Sequence, residues 1–233
     1  MIDIQVIASS SKGNCYRITD GYTPLLLECG LPIKKIKEAL NFKLSSIAGC
    51  LVSHSHMDHV KAAKDIVKAG IGLYCSEETA EAVNVSGHRV HHVSPMKHFT
   101  IKSWTVLAFP TVHDVSGSYG YLLANGAGEK LLFLTDSSYC KYRFKGLTHL
   151  MLEANFSQAI LDRNVEQGIV EEVRRKRLME SHFSIERVLD LLERNDLSSL
   201  VSIYLMHLSD ENSDEENFKR LVQQKTGVPV VVC

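Results

Sequence analysis

The chain opens on short apolar runs. "DIQVIA" (3–8), "CYRIT" (15–19) and "TPLLLECG" (23–30) alternate or run continuously apolar, and Gly13 and Gly30 supply turns. That pattern predicts strands. The period then changes: in "LPIKKIKEAL", Ile33, Ile36 and Leu40 fall three to four residues apart, one face of a helix. "SIAGCLVSH" is a brief apolar run ending at His54, as in a strand buried on both faces. "DHVKAAKDIVKAG" (58–70) sets Val60, Ala63, Ile66 and Val67 on one stripe, with Gly70 as its stop, and predicts a helix. "IGLYCS" reads as a strand and "EETAEAV" as a helix.

From Arg89 to Ser137 the pattern is mostly β, in "RVHHVS", "HFTIKSWTVLAFPTVH", "YGYLLANG" and "EKLLFLTDS". "THLMLEAN" predicts a further strand, and Asp162–Glu180 and Ile185–Asn195 predict amphipathic helices. "SLVSIYLMHLS" is a strand, "DEENFKRLVQQKTG" a helix and "VPVVV" a last strand. This succession suggests two packed sheets with helices outside. Periodicity alone does not separate it from other layered α/β folds. No linker, repeat or low-complexity segment interrupts the 233 residues, a length that suits one large domain or two small ones.

Composition narrows the class. At 45% hydrophobic residues the chain can bury a sizeable core. Its 26 Lys and Arg against 27 Asp and Glu give a net charge of -1, which offers no case for a polybasic nucleic-acid binder. A nuclease stays open, because bound metals add local positive charge. The six cysteines are scattered with no C-x-x-C pair, four of them in apolar, strand-like contexts. Buried thiols of this kind point to a reducing compartment. The N-terminus lacks the basic and apolar regions of a signal peptide, and no apolar run approaches the roughly 20 residues of a membrane span. A soluble cytoplasmic protein with no membrane partner is expected.

The chemistry concentrates in "VSHSHMDHVKA", which packs His54, His56, Asp58 and His59 into six residues. In an extended segment, side chains two apart point the same way, so His54 and His56 can converge on one ion. Asp58 and His59 then fall in the first turn of the next helix, turned away from that pair. Asp58 also gains from the positive end of the helix dipole. Two ligand sets side by side suit zinc, which takes imidazole nitrogen and carboxylate oxygen. Further ligands are expected where apolar strands end. His113 in "FPTVHDVSG", Asp136 in "LLFLTDSS" and His207 in "IYLMHLSD" meet that description.

These motifs together resemble the metallo-β-lactamase fold superfamily, whose H-x-H-x-D-H signature stands here as "HSHMDH". "TVHD", "FLTDSS" and "LMHLSDENS" match its later motifs, so the likeness spans essentially the whole chain. Within the superfamily, "SSSKGNCYRI", "MLEAN" and "ESHFS" resemble the YycJ/WalJ group and its phage-encoded relatives, near the RNase Z branch. The resemblance implies a single α/β hydrolase domain over residues 1–233, a four-layer αββα sandwich of two mixed β-sheets with outer helices. It implies two divalent ions, zinc first and manganese second. One ion would be held by His54, His56 and His113, the other by Asp58, His59 and His207, with Asp136 bridging. Such a pair can hold a hydroxide near neutral pH and clamp both the attacking and the leaving oxygen. Asp58 is thereby also a catalytic residue. His182 resembles the histidine that contacts the scissile phosphate and protonates the leaving oxygen, and Glu153 the carboxylate that orients it. A helix-capping role for His182 and a solvent-facing one for Glu153 are the plain alternatives. One position departs from the family: "LLLECG" carries Glu28 where an aspartate usually supports the histidine loop.

Other polar stretches read more simply. His88, His91, His92 and His98 lack carboxylate partners in sequence and suit surface or edge positions, and His149 a structural one. "KYRFKG" sets Lys141, Arg143 and Lys145 on alternate positions, as a phosphate contact or an ordinary solvated edge. "RRKR" (174–177) reads as a solvated helix face. The expected function is hydrolysis of nucleic-acid phosphodiester bonds, DNA before RNA, in the cytoplasm or a host's cytoplasm if phage-encoded. The alternative is a cyclic mononucleotide phosphodiesterase using the same site, for which a pocket capped by a neighbouring subunit, hence a homodimer, would speak. A binding module with a vestigial metal site is opposed by the intact ligand set.

Overall fold

Apolar segments bounded by turn residues become strands close to where their alternation places them. The computed structural model describes residues 1–233. The chain divides into two units, one of Met1–Pro110 with Val115–Glu129, the other of Thr111–Asp114 with Lys130–Cys233. Its strands belong to two mixed β-sheets.

In the first unit β1 (Asp3–Ala8), β2 (Cys15–Thr19) and β3 (Leu25–Leu27) form an antiparallel meander. β3 then pairs in parallel with β4 (Gly49–Leu51), β4 with β5 (Gly72–Cys75) and β5 with β6 (Val90–His92), completing a six-stranded sheet. Parallel neighbours need crossovers. These are α1 (Ile33–Ala39), the short pair α2 (Met57–Val60) and α3 (Ala63–Lys68), and α4 (Glu77–Ala82). Ile36, Val60, Ala63, Ile66 and Ala80 pack in one cluster with Leu26, Cys50 and Leu73 of the strands. β7 (His98–Ile101), β8 (Trp104–Pro110) and β9 (Tyr119–Ala124) form an antiparallel ladder.

Two expected elements divide. The run "HFTIKSWTVLAFPTVH" folds back as the β7–β8 hairpin, because Ile101 pairs with Trp104 and leaves Lys102 and Ser103 as a two-residue loop. Lys102 takes the positive φ, 52°, that such loops require. The helix expected over 58–70 breaks between α2 and α3. There the Ala62 N–H donates to Cys29 O, and Cys29 N–H donates to His59 O. Backbone following β3 thus competes for the hydrogen bonds that would have continued the helix.

In the second unit β10 (Lys130–Leu134), β11 (His149–Glu153), β12 (Ser202–Met206) and β13 (Val230–Val232) lie side by side, all parallel. Every residue of β11 is buried, as expected of a central parallel strand. Crossovers are α5 (Gln158–Glu166), α6 (Glu172–Ser181) and α7 (Ile185–Glu193), then α8 (Glu215–Thr226). The single helix expected over Asp162–Glu180 is two. Gly168 turns at φ 70°, and the N–H groups of Ile169 and Val170 both donate to Asn164 O. Nor is α6 amphipathic: only Ser181 in it is buried, because its Arg and Lys run leaves no apolar stripe. In α7, by contrast, Ile185, Val188, Leu191 and Leu192 are buried.

One glycine fixes how the first unit closes on its histidine loop. Asn14 N–H donates to Asp58 O (2.7 Å) and Gly30 N–H to Asn14 O (2.9 Å). A Cβ on Gly30 would sit 1.6 Å from Asp58 O, which is backbone and cannot swing away. Gly30→Ala is expected to lower the melting temperature by about 10 °C or to prevent folding, given overpacking costs of about 1–3 kcal/mol and more. Gly126→Ala, with open space around the new Cβ, should leave it nearly unchanged. Equal shifts in thermal unfolding would refute the close-approach argument.

Candidate metal centre

The donor groups of each unit are built separately from strand ends. In the first unit β4 stops at Leu51, and His54 and His56 follow. His56 is extended (φ -63°, ψ 144°), and His54 Nε2 lies 3.1 Å from His56 Nδ1. Two nitrogens on one tetrahedral ion at about 2.0–2.1 Å would be about 3.3 Å apart, so the pair stands near chelating separation. Asp58 and His59 fall in α2, with Asp58 Oδ2 3.3 Å from His59 Nε2. The His59 and His54 rings are 4.2 Å apart. The Asn14 amide lies 3.4 Å from Asp58 Oδ2 and 3.3 Å from His59 Nε2.

Glu28 supports this loop. It is fully buried, accepts the Ser53 N–H on both oxygens (3.1 and 3.3 Å), and places Oε2 3.6 Å from His59 Nδ1. A carboxylate beside Nδ1 favours the proton there and the lone pair on Nε2. Burial pushes the Glu28 carboxyl up, and the nearby His59 imidazole and Ser53 hydrogen bonds only partly oppose that rise.

In the second unit the ends of parallel strands converge. His113 belongs to this unit through the short segment Thr111–Asp114, which follows β8, and donates Nδ1–H to Ser181 O (2.9 Å). Its Nε2 is 3.2 Å from Asp114 Oδ1 and 3.8 Å from Asp136 Oδ2. Asp136 follows β10 and His207 follows β12. His207 Nδ1 lies 3.0 Å from Asp136 Oδ1 and 3.1 Å from Glu153 Oε1. Glu153 ends β11, fully buried. It accepts from His182 Nδ1 at 2.6 Å, Phe183 N–H at 2.9 Å and Ser137 N–H at 3.3 Å.

The donor atoms of Asp136, Glu153, His182 and His207 all lie within 4.8 Å of one another. Within that group Glu153 faces N–H donors on both oxygens, so it serves as the acceptor that orients the two imidazoles. Burial would raise its carboxyl, but the adjacent His182 and the hydrogen bonds from His182 and His207 hold it below the usual range. Burial would lower His182, but the Glu153 charge and hydrogen bond lift it above the ordinary imidazole value. Burial keeps His113 low despite Asp136 and Asp114. Imidazole and carboxylate donors without a thiolate fit zinc or a harder divalent ion at a catalytic rather than a structural site.

The structure therefore brings His54, His56, Asp58 and His59 together in one unit, and His113, Asp136, Glu153, His182 and His207 in the other. His149 is buried in β11 and pairs with Thr148 Oγ1 (2.8 Å). His88, His91, His92 and His98 are exposed. "KYRFKG" is not a strand: Phe144 is buried, while Lys141, Arg143 and Lys145 are exposed. In "RRKR" each cation lies near a carboxylate, Arg174 by Glu211, Arg175 by Asp162, Lys176 by Glu180 and Arg177 by Asp114. Residue-by-residue reading missed Asn14, Asp114 and Asn155, whose amide donates to His207 O (2.8 Å). All three lay inside stretches already notable for their neighbours.

Residues 26–207 match the family model described as a β-lactamase superfamily domain. The chain belongs to the metallo-β-lactamase fold superfamily. It is 27% identical over 250 residues to exodeoxyribonuclease WalJ of Streptococcus pneumoniae, covering 97% of this chain and 90% of that protein. Over 245 residues it is 25% identical to exodeoxyribonuclease YycJ of Bacillus anthracis, covering 96% and 88%. The metallo-β-lactamase fold protein YhfI of Bacillus subtilis superposes with a TM-score of 0.75 at 15% identity, over 100% of this chain and 97% of that one. The expected sandwich of two mixed sheets with helices is thus the fold, and the superfamily member is a metal-dependent hydrolase. No helix is long and apolar enough to cross a membrane.

Glu153→Gln tests the orienting carboxylate. The amide must turn an N–H towards groups that now donate to Glu153, leaving buried donors unmatched at about 1–3 kcal/mol each. The free energy of unfolding from urea denaturation is expected to fall by about that amount, and an unchanged value would show that these hydrogen bonds contribute no net stability.

Proposed function

We propose that the chain is a divalent-metal nuclease that hydrolyses phosphodiester bonds of DNA in preference to RNA, the two units acting as one hydrolase domain. The reading is carried by the intact donor set, seven imidazole and carboxylate side chains, two of which, His59 and His207, lie beside the buried carboxylates Glu28 and Glu153. In this reading His54, His56 and His113 hold one ion, and Asp58, His59 and His207 the other, with Asp136 shared. Zinc is the first expectation and manganese the second. The ions, when bound, supply a water of near-neutral pKa and stabilise charge on the attacking and leaving oxygens. The names of the WalJ and YycJ relatives support DNA as the substrate.

The protein groups have distinct tasks. Glu28 sets the His59 tautomer and Glu153 that of His207, so that Nε2 presents the lone pair in each. In this reading His182, held by Glu153, donates a proton to the leaving oxygen. Its partner keeps the imidazole protonated more readily than it would be in solution.

The deciding experiment incubates metal-loaded protein with labelled single- and double-stranded DNA, RNA and a 3′,5′-cyclic nucleotide. DNA should be shortened fastest. Consumption of the cyclic nucleotide alone would replace this reading with the small-substrate one.

Elemental analysis should find two ions per chain in the wild type and in His182→Ala, and fewer in Asp58→Ala. His182→Ala should lower kcat on an ordinary phosphodiester by about 10²–10⁴-fold, the usual range for a lost proton donor. A nitrophenyl phosphodiester, whose leaving group needs little protonation, should lose much less. Loss of metal in His182→Ala would make His182 a ligand. Equal slowing of both substrates would assign it to phosphate binding.

A further inference from the structure

The exposed histidines outside the metal centre surround a cleft of their own. Tyr74 on β5 pairs with His91 on β6, and their rings stack at 4.5 Å and 19°. Tyr74 also lies nearly parallel to Phe99 of β7, 5.7 Å away at 12°. Two glycines make this arrangement fit. A Cβ on Gly49 would lie 2.9 Å from Tyr74 Cε2, and one on Gly72 would lie 3.1 Å from Tyr74 Cε2 and 3.2 Å from His91 Nε2. The three rings border a cleft of ≈ 630 Å³ with Lys97, His92 and His98. That volume is within the range of small-ligand pockets, about 300–1,000 Å³.

The lining has a definite chemical bias. Among its nine residues there are three histidines and a lysine but no carboxylate, in a chain where acidic residues slightly outnumber basic ones. A metal is not the match, since the groupings that bring metal-type donor atoms together include none of these histidines. Flat aromatic faces next to an exposed cation suit a flat ring carrying a phosphate. Base stacking on aromatic side chains is tolerant of sequence, and the cation tracks the backbone.

We propose that this cleft is a nucleotide-binding subsite, which stacks a base on the exposed His91 ring, backed by Tyr74 and Phe99, and holds the adjoining phosphate with Lys97. The proposal rests on the nucleic-acid reading of the metal centre and adds a second point of contact to it. None of its residues belongs to the donor set, so it acts on affinity and not on bond cleavage.

The test uses the metal-loaded protein and a fluorescent, phosphorothioate-linked single strand that resists cleavage, with deoxyadenosine monophosphate as competitor. His91 and Lys97 are exposed, so their substitution should leave the fold intact. His91→Ala and Lys97→Glu should each weaken strand binding by about tenfold. Lys97→Glu should also reduce the slope of log affinity against log salt by about 1. Hydrolysis of bis(4-nitrophenyl) phosphate should stay at the wild-type rate. Displacement by the mononucleotide would identify a site for free nucleotides, and its failure a site for a unit within a strand. Either supports the subsite. Wild-type affinity in both variants overturns it, as does a change of oligomeric state in His91→Ala without a change in binding, which would mark a protein interface. Failure of the wild type to cleave any nucleic acid would sink the metal-centre reading, while this binding measurement would still decide the subsite.

Discussion

A carboxylate buried beneath histidines is the constraint on which the second unit is arranged. Desolvating such a charge costs several kcal/mol unless its oxygens are used by donors. Glu153 is fully buried, and its four donors come from three places: Ser137 after β10, His182 and Phe183 after α6, and His207 after β12. Each of those segments has to end at the same point. The parallel order of β10, β11 and β12 makes that possible, since neighbouring parallel strands deliver their carboxyl ends side by side. Ligand sites at those ends are the general habit of such sheets.

Turning the chain at the strand ends has a conformational cost. Glu28, Asp136 and His207 each follow a strand, and each has a left-handed backbone, at φ 63°, 42° and 53°. Non-glycine residues there lie roughly 1–2 kcal/mol above the right-handed form. Such strain persists where surrounding contacts over-determine the conformation. Here they do so through the side chain: Glu28 binds the Ser53 N–H, Asp136 accepts from Thr135 Oγ1 at 2.8 Å, and His207 reaches Glu153. Glycine would relax the backbone at these positions and remove the very groups they present. The longer Glu28 in place of the family's aspartate still reaches both Ser53 and His59.

Strands and most helices were legible because apolar period and turn residues are local properties. The expected seven donors could be named for the same reason, since each stands at the end of an apolar run or within "HSHMDH". What escaped the sequence was set by distant backbone. The helix over 58–70 splits because Cys29, thirty-odd positions away, takes its hydrogen bonds. The helix over Asp162–Glu180 splits where Asn164 O gathers two N–H groups and its side chain reaches Glu211 O and Asn212 Oδ1. Asn14 is invisible for a related reason: its partners Asp58 and His59 lie 44 and 45 residues on. The histidines at 91 and 98 were rightly placed at the surface, but only the glycines at 49 and 72 disclose the ring stacking beneath them.

A net charge of -1 does not favour attraction of a polyanion, yet what a substrate meets is the local field, which decays over about 10 Å in 0.1 M salt. The cations of α6 are locally offset, since Arg174, Arg175 and Arg177 each touch a carboxylate at 2.7–3.3 Å. Exposed pairs of that kind add little stability, and they also leave little field. Positive character resides instead in the exposed Lys141, Arg143 and Lys145 of one loop, in a stretch (137–152) without an acidic residue, and in the cleft around Lys97, whose lining holds no carboxylate. A near-neutral chain can therefore engage a phosphate backbone through a few unbalanced patches and the charge of bound ions, with no need for an overall basic composition.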